Sequence, residues 1–132
     1  MNLKNKIKPS VPKYTIPQVV SELLESVTII HKFHLKSKSY AEHKALEKFY
    51  NSIGDLADTI FETFAWDNNS IEIPAPTLND STPVNYLIKL ATFVEQSRLA
   101  APYSDLQNQL DEVKTLIFST LYKLRNLKWK KL

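Results

Sequence analysis

Apolar residues recur along this chain at intervals of three and four, the period of a helix face, and the sustained alternation of a strand is nearly absent. The first stripe runs Ile16, Val20, Leu23, Val27 and Ile30, with Leu24 beside it. Thr15 before it and Gln18 three residues on form a capping box, in which each side chain satisfies a backbone N–H of the opening turn. A second such pair, Ser39 and Glu42, opens a stripe through Ala45, Leu46, Phe49, Ile53, Leu56, Ile60 and Phe64. Thr82-Pro83 places proline at a first helical position, and Leu87, Leu90, Ala91 and Val94 follow as an inner face. Ala101-Pro102 interrupts the pattern. Ser104 with Gln107 then caps a fourth stripe, Leu106, Leu110, Val113, Ile117, Leu121 and Leu124. The predicted elements are four helices, about 16–36, 40–66, 83–99 and 105–128.

Connection lengths turn these helices into a topology. Short links join the first helix to the second and the third to the fourth, so each pair is predicted to be an antiparallel hairpin. Residues 67–81 hold two prolines and many turn formers and form a loop. Fully extended, that loop reaches about 50 Å, whereas the second helix is about 39 Å long. It can therefore run the length of the bundle and leave helices two and three parallel. The predicted fold class is all-α: a four-helix bundle with ferritin-like connectivity and one long crossover between helices two and three.

The 132 residues are enough for one domain with a continuous core, divided here into a basic extended tail, 1–13, and a bundle, 14–132. The chain has no cysteine, which excludes disulfides and thiolate chemistry. No apolar run is long enough to span a membrane, and the first residues lack the apolar core of a signal peptide, so a cytoplasmic product is expected. Charge is unevenly placed. Residues 1–13 carry Lys4, Lys6, Lys8 and Lys13 without an acid, and residues 121–132 carry five basic groups without one, including Lys128, Lys130 and Lys131. The intervening residues hold all 14 acids. Basic ends on an acidic body suit contact with DNA or another acidic surface, or serve solubility alone.

The candidate chemistry lies in His31, His34, His43, Glu47, Asp58 and Glu62. Imidazole and carboxylate are the ligands by which helical bundles hold iron or manganese. On one helix, residues 43 to 62 span about 28 Å, so the His43/Glu47 turn and the Asp58/Glu62 turn lie roughly 16 to 22 Å apart. One chain cannot close both pairs on one ion, but two antiparallel copies of helix two can. The four residues fall within about 100° of the helix circumference. Asn51 and Gly54, the chain's sole glycine, lie inside that arc near the midpoint. A glycine there permits close helix crossing, although it costs about 1 kcal/mol in a helix interior. The alternative is that these are ordinary solvated helix polars.

The stretch IIHKFHLKSKSYAEHKALEKFYNSIGDLADTIFE carries the spacing His31-x11-His43-x3-Glu47-x10-Asp58-x3-Glu62. That spacing resembles the ferroxidase signature of the Dps mini-ferritins. The resemblance implies ferrous iron oxidised between two-fold related subunits, with two histidines and an acid from one and an Asp and a Glu from the other. Departures are visible: Lys32 stands where the family has Trp, Glu47 where it has Asp, and the glycine-containing loop is missing. His34-Leu35 can instead take the His-Trp place, which leaves His31 and His34 as alternative ligands. The segments His34–Tyr50 and Ser119–Arg125 also resemble ferritin-like proteins of tailed bacteriophages, a likeness that implies no activity.

Other chemistries are weakly represented. Nothing resembles a nucleophile elbow or a phosphate-binding glycine loop, and no Glu-x-x-His exists for an intrachain di-iron centre. The aromatic cluster Phe49, Tyr50, Phe61, Phe64 and Trp66 reads as core. Two function classes follow. One is a homo-oligomer through helix two that binds iron or another divalent metal, possible ferroxidase activity included, with basic termini on DNA or a shell neighbour. The other is a structural or interaction protein, a virion component if phage-encoded, that keeps the bundle without catalysis or cofactor.

Overall fold

The computed structural model describes residues 14–127. Four helices account for most of them: α1 (Ile16–Leu35), α2 (Tyr40–Phe64), α3 (Pro83–Ser97) and α4 (Ser104–Asn126). A short 3-10 turn, Arg98–Ala100, links the last two, and no strand occurs among the described residues. The chain is an all-α four-helix bundle. None of its described helices is long and apolar enough to cross a membrane.

The helix starts follow the caps. Thr15 accepts from the Gln18 N–H while Gln18 returns a bond to the Thr15 N–H, a complete capping box. Ser39 accepts from the Glu42 N–H, but its own N–H goes to Ser37 Oγ rather than to Glu42, so only half of the expected box forms; Thr82 accepts from the Asn85 N–H ahead of Pro83. The fourth start differs from expectation. Tyr103, in extended conformation, is the N-cap of α4, and Ser104 is already helical. A hydroxyl on the first helical residue cannot reach back over the orphan N–H groups, so the Tyr103 carbonyl alone receives the Gln107 N–H. The ends also fall short of the apolar pattern. α2 stops at Phe64 because the Asp67–Ser70 run takes up its own turn, with Asn68 accepting from the Ser70 N–H. α3 tightens into the 3-10 turn after Ser97.

Helix contacts run round a square in the order α1, α2, α4, α3. Tyr14 stacks on Phe93, placing the start of α1 beside the end of α3. Gln109 bonds Thr63, placing the start of α4 beside the end of α2. Neighbours around the square are therefore antiparallel, and α2 and α3 lie parallel across the diagonal, as a single long crossover requires. The crossover is tied along α1. Ser21 donates to the Pro74 carbonyl, and the buried Glu22 carboxylate accepts from the Thr77 and Leu78 N–H groups at 2.9 to 3.1 Å. Farther on, Asn79–Ser81 lie across Lys32 and Lys36 at the far end of α1.

The core takes the predicted stripes, with all six α4 positions and all four α3 positions buried. Ala57, Tyr86 and Phe93 join it. Burial pushes the Tyr86 hydroxyl's pKa up, reinforced by the charges of Glu22 and Glu25. One expectation fails, since Trp66 is 73% exposed; Leu24, beside the α1 stripe, is 40% exposed. Trp66 lies beyond the end of α2, where no neighbouring helix covers it, and Leu24 sits at the outer edge of the α1 stripe.

Candidate functional site

The histidine end of the bundle is built by the tight link between α1 and α2. His34 lies in the last turn of α1 and His43 in the first turn of α2. Their rings stack with centroids 3.6 Å apart and planes 25° apart. His34 Nδ1 lies 2.7 Å from the His43 carbonyl oxygen, and His43 Nδ1 lies 3.1 Å from the His34 carbonyl oxygen. A carbonyl only accepts, so both Nδ1 atoms carry the proton and donate. The two rings thus form a reciprocal clasp, and one bond satisfies a last-turn carbonyl of α1 that has no full helical partner. In that tautomer Nε2 is the lone-pair nitrogen of each ring and its ligand atom.

His31, one turn earlier, is exposed and stacks on Tyr50 at 4.3 Å. Tyr50 in turn meets the edge of His34 at 5.3 Å. The two alternative histidines therefore share one ring cluster but differ in setting, His34 buried and anchored, His31 on the surface. Glu47 follows one turn after His43 and pairs with Lys44 at 2.8 Å. The Lys44 hydrogen bond, and then the Lys44 charge, hold the Glu47 carboxyl below the usual carboxylate range.

Asp58 and Glu62 are exposed on the other half of α2, around a shallow depression lined by Val20, Leu24, Phe61 and Ile73. The structure does not bring them to the histidines within one chain, as the rise of a helix dictates. Among the described residues no group of three or more His, Asp or Glu side chains is placed to hold a metal ion. Between the two halves Asn51 is exposed, and a Cβ added to Gly54 would meet nothing within 4 Å. Packing among the described residues does not require this glycine. Lys4, Lys6, Lys8, Lys13, Lys128, Lys130 and Lys131, the expected nucleic-acid or partner contacts, lie outside the described residues.

Two members of the site escaped the spacing argument. Tyr50 follows His43 by seven residues, two helical turns, and so shares its face. Lys44 precedes Glu47 by three, an ordinary helix ion-pair spacing. Both signals are present in the sequence, but neither residue type is a usual metal ligand.

Residues 34–124 match a family of unknown function (DUF5856), and the chain belongs to that family. The matched stretch includes His34, His43, Glu47, Asp58 and Glu62, and His31 lies before it. No curated protein and no solved structure matches the chain significantly.

Proposed function

We propose that this DUF5856 member is a ferritin-like metal-binding protein that pairs with a second copy through the outward face of α2. The two copies together complete a site for ferrous iron or a similar divalent metal. One observation carries the reading: α2 bears both candidate ligand groups on one outward face, on either side of a glycine whose absent side chain none of the described residues replaces. In an antiparallel pair crossing near Ser52 and Ile53, the imidazoles and Glu47 of one copy face Asp58 and Glu62 of the other.

The ring chemistry supports this reading. A metal-bound imidazole commonly donates its second nitrogen to a carbonyl that fixes tautomer and orientation, and His34 and His43 have that arrangement. His31 adds an exposed third ring. Glu47 must leave Lys44 to act as a ligand, a small barrier, since water competes with an exposed ion pair. Iron supplies one-electron chemistry at such a site. By the Dps resemblance, ferrous iron is the substrate and a peroxide the oxidant.

The second reading is a structural or interaction bundle, in a virion if phage-encoded, without chemistry. The clasp itself favours it, because His34 and His43 already have a structural task and Lys44 already neutralises Glu47. Anaerobic loading with ferrous iron, then peroxide, separates the two. The metal-binding reading expects iron retained on elemental analysis and ferric absorbance in the near ultraviolet, both lost in a D58A/E62A variant. A dimer that retains no metal supports the structural reading. Sedimentation of the wild type as a monomer would remove the shared site altogether.

A further inference from the structure

Charge in the described bundle is sorted along its axis. The histidine-end half, residues 26–51, 77–90 and 115–127, holds eight cations and three acids. The opposite half, residues 14–25, 52–76 and 91–114, holds two cations and eleven acids. Solubility alone does not need such sorting; interspersed signs serve it better.

The sorting is sharpest where α2 and α4 lie side by side. Lys44, Lys48, Asp55 and Glu62 fall on one line along the outward side of α2, because eighteen residues complete five turns. Lys123 and Glu112 lie eleven residues apart, three turns, along α4. Both lines run from positive to negative in the same direction along the bundle. At the positive end Lys48 and Lys123 line a groove of about 450 Å³ together with the Lys44–Glu47 ion pair, Asn51 and Leu127. Lys48 and Lys123 stand together, and neither has a carboxylate partner among the described residues. Burial, and then the charge of Lys48, hold the Lys123 ammonium below its usual range. Two ammonium groups held together without a carboxylate among the described residues suit an acidic surface.

We infer that this acidic surface is the opposite half of a second copy: Lys48 and Lys123 of one protomer dock against Asp55 and Glu112 of the other. The inference rests on the pairing through α2 and adds what sets its orientation. An antiparallel pair brings positive onto negative twice over by its two-fold symmetry. A parallel pair sets like on like, which opposes association. Charge sorting therefore selects the one orientation that also brings the histidines to Asp58 and Glu62.

The test is association of the full chain measured by sedimentation velocity at 50 and 500 mM NaCl, with far-ultraviolet circular dichroism to establish folding. The dimer is expected to weaken by about tenfold or more at the higher salt, since exposed charges are then screened. Variants K48E/K123E and D55K/E112K should each lose the dimer at low salt, and an equimolar mixture of the two should restore it as a heterodimer. Dimers of wild type and K48E/K123E that are alike at both salts would overturn the charge inference while leaving the α2 pairing intact. A mixture that fails to restore the dimer would overturn it as well. Wild type monomeric at both salts removes the pairing and the inference together. If that monomer instead binds a labelled oligonucleotide through Lys48 and Lys123, the patch belongs to a polyanion and the inference falls.

Discussion

The two hairpins of this bundle are closed at opposite ends by different chemistry. The α1–α2 hairpin is held by two stacked imidazoles exchanging hydrogen bonds with each other's backbone. The α3–α4 hairpin is held by ions: Arg98 meets both Asp111 oxygens at 3.1 and 3.3 Å, and Lys114 meets Glu95 and Asp111. These partners remain well exposed, at 38% for Arg98 and 41% for Asp111, so water and salt compete with them. The ring clasp is largely shielded from that competition. The comparison teaches that one end needs its particular side chains, while the other needs only charges of opposite sign. Groups capable of chemistry are held in fixed positions at the first end.

The largest break in that contrast is expected from His34→Ala. It removes a buried ring, leaves the His43 carbonyl without its donor and opens the stack, a loss of about 2–3 kcal/mol in urea unfolding that changes little with salt. Glu22→Ala frees the Thr77 and Leu78 N–H groups from the first hairpin and should cost about 1–2 kcal/mol. Faster amide exchange at those two residues is its signature. Gly54→Ala sharpens the comparison differently. With open space around the added methyl, the isolated bundle should gain about 1 kcal/mol, while self-association weakens if α2 crosses a second copy there. Equal or stronger association of this variant would count against the crossing.

At the ionic end, Arg98→Ala should cost less than any of these, and the difference should vanish in molar salt. The smallest effect is in acid. Arg98 holds the Asp111 carboxyl below its ordinary range, through its hydrogen bond first and its charge as well. A carboxyl with a lowered folded pKa gives its full stabilisation above the unfolded value and loses it as pH falls through the folded one. Wild type should therefore lose slightly more stability than Arg98→Ala as pH falls from 5 to 3, read from urea midpoints.

How much of this was legible depends on whether the cause is local. The stripes on α3 and α4 were read from spacing because a helix repeats every 3.6 residues whatever lies around it. The fourth cap was misplaced because Ser104 and Tyr103 differ in backbone conformation, which Pro102 and the preceding 3-10 turn help to set. Trp66 was read as core from its apolar character, but burial needs a neighbour, and none covers that end. In the candidate site, the separation of His43/Glu47 from Asp58/Glu62 followed from helical rise alone. The stacking of His34 on His43 did not, because it depends on how the link between α1 and α2 brings two turns face to face.

By itself, then, the sequence determined four amphipathic helices, two short hairpins and a link long enough for a crossover, since periodicity, caps and chain length act within a segment. Tertiary structure alone decided that His34 rather than His31 closes the first hairpin, and that Glu22 pins the crossover. It also decided that cations gather at one end of the bundle and acids at the other. Those are relations between residues distant in sequence or on different helices, and only packing brings them within reach of one another.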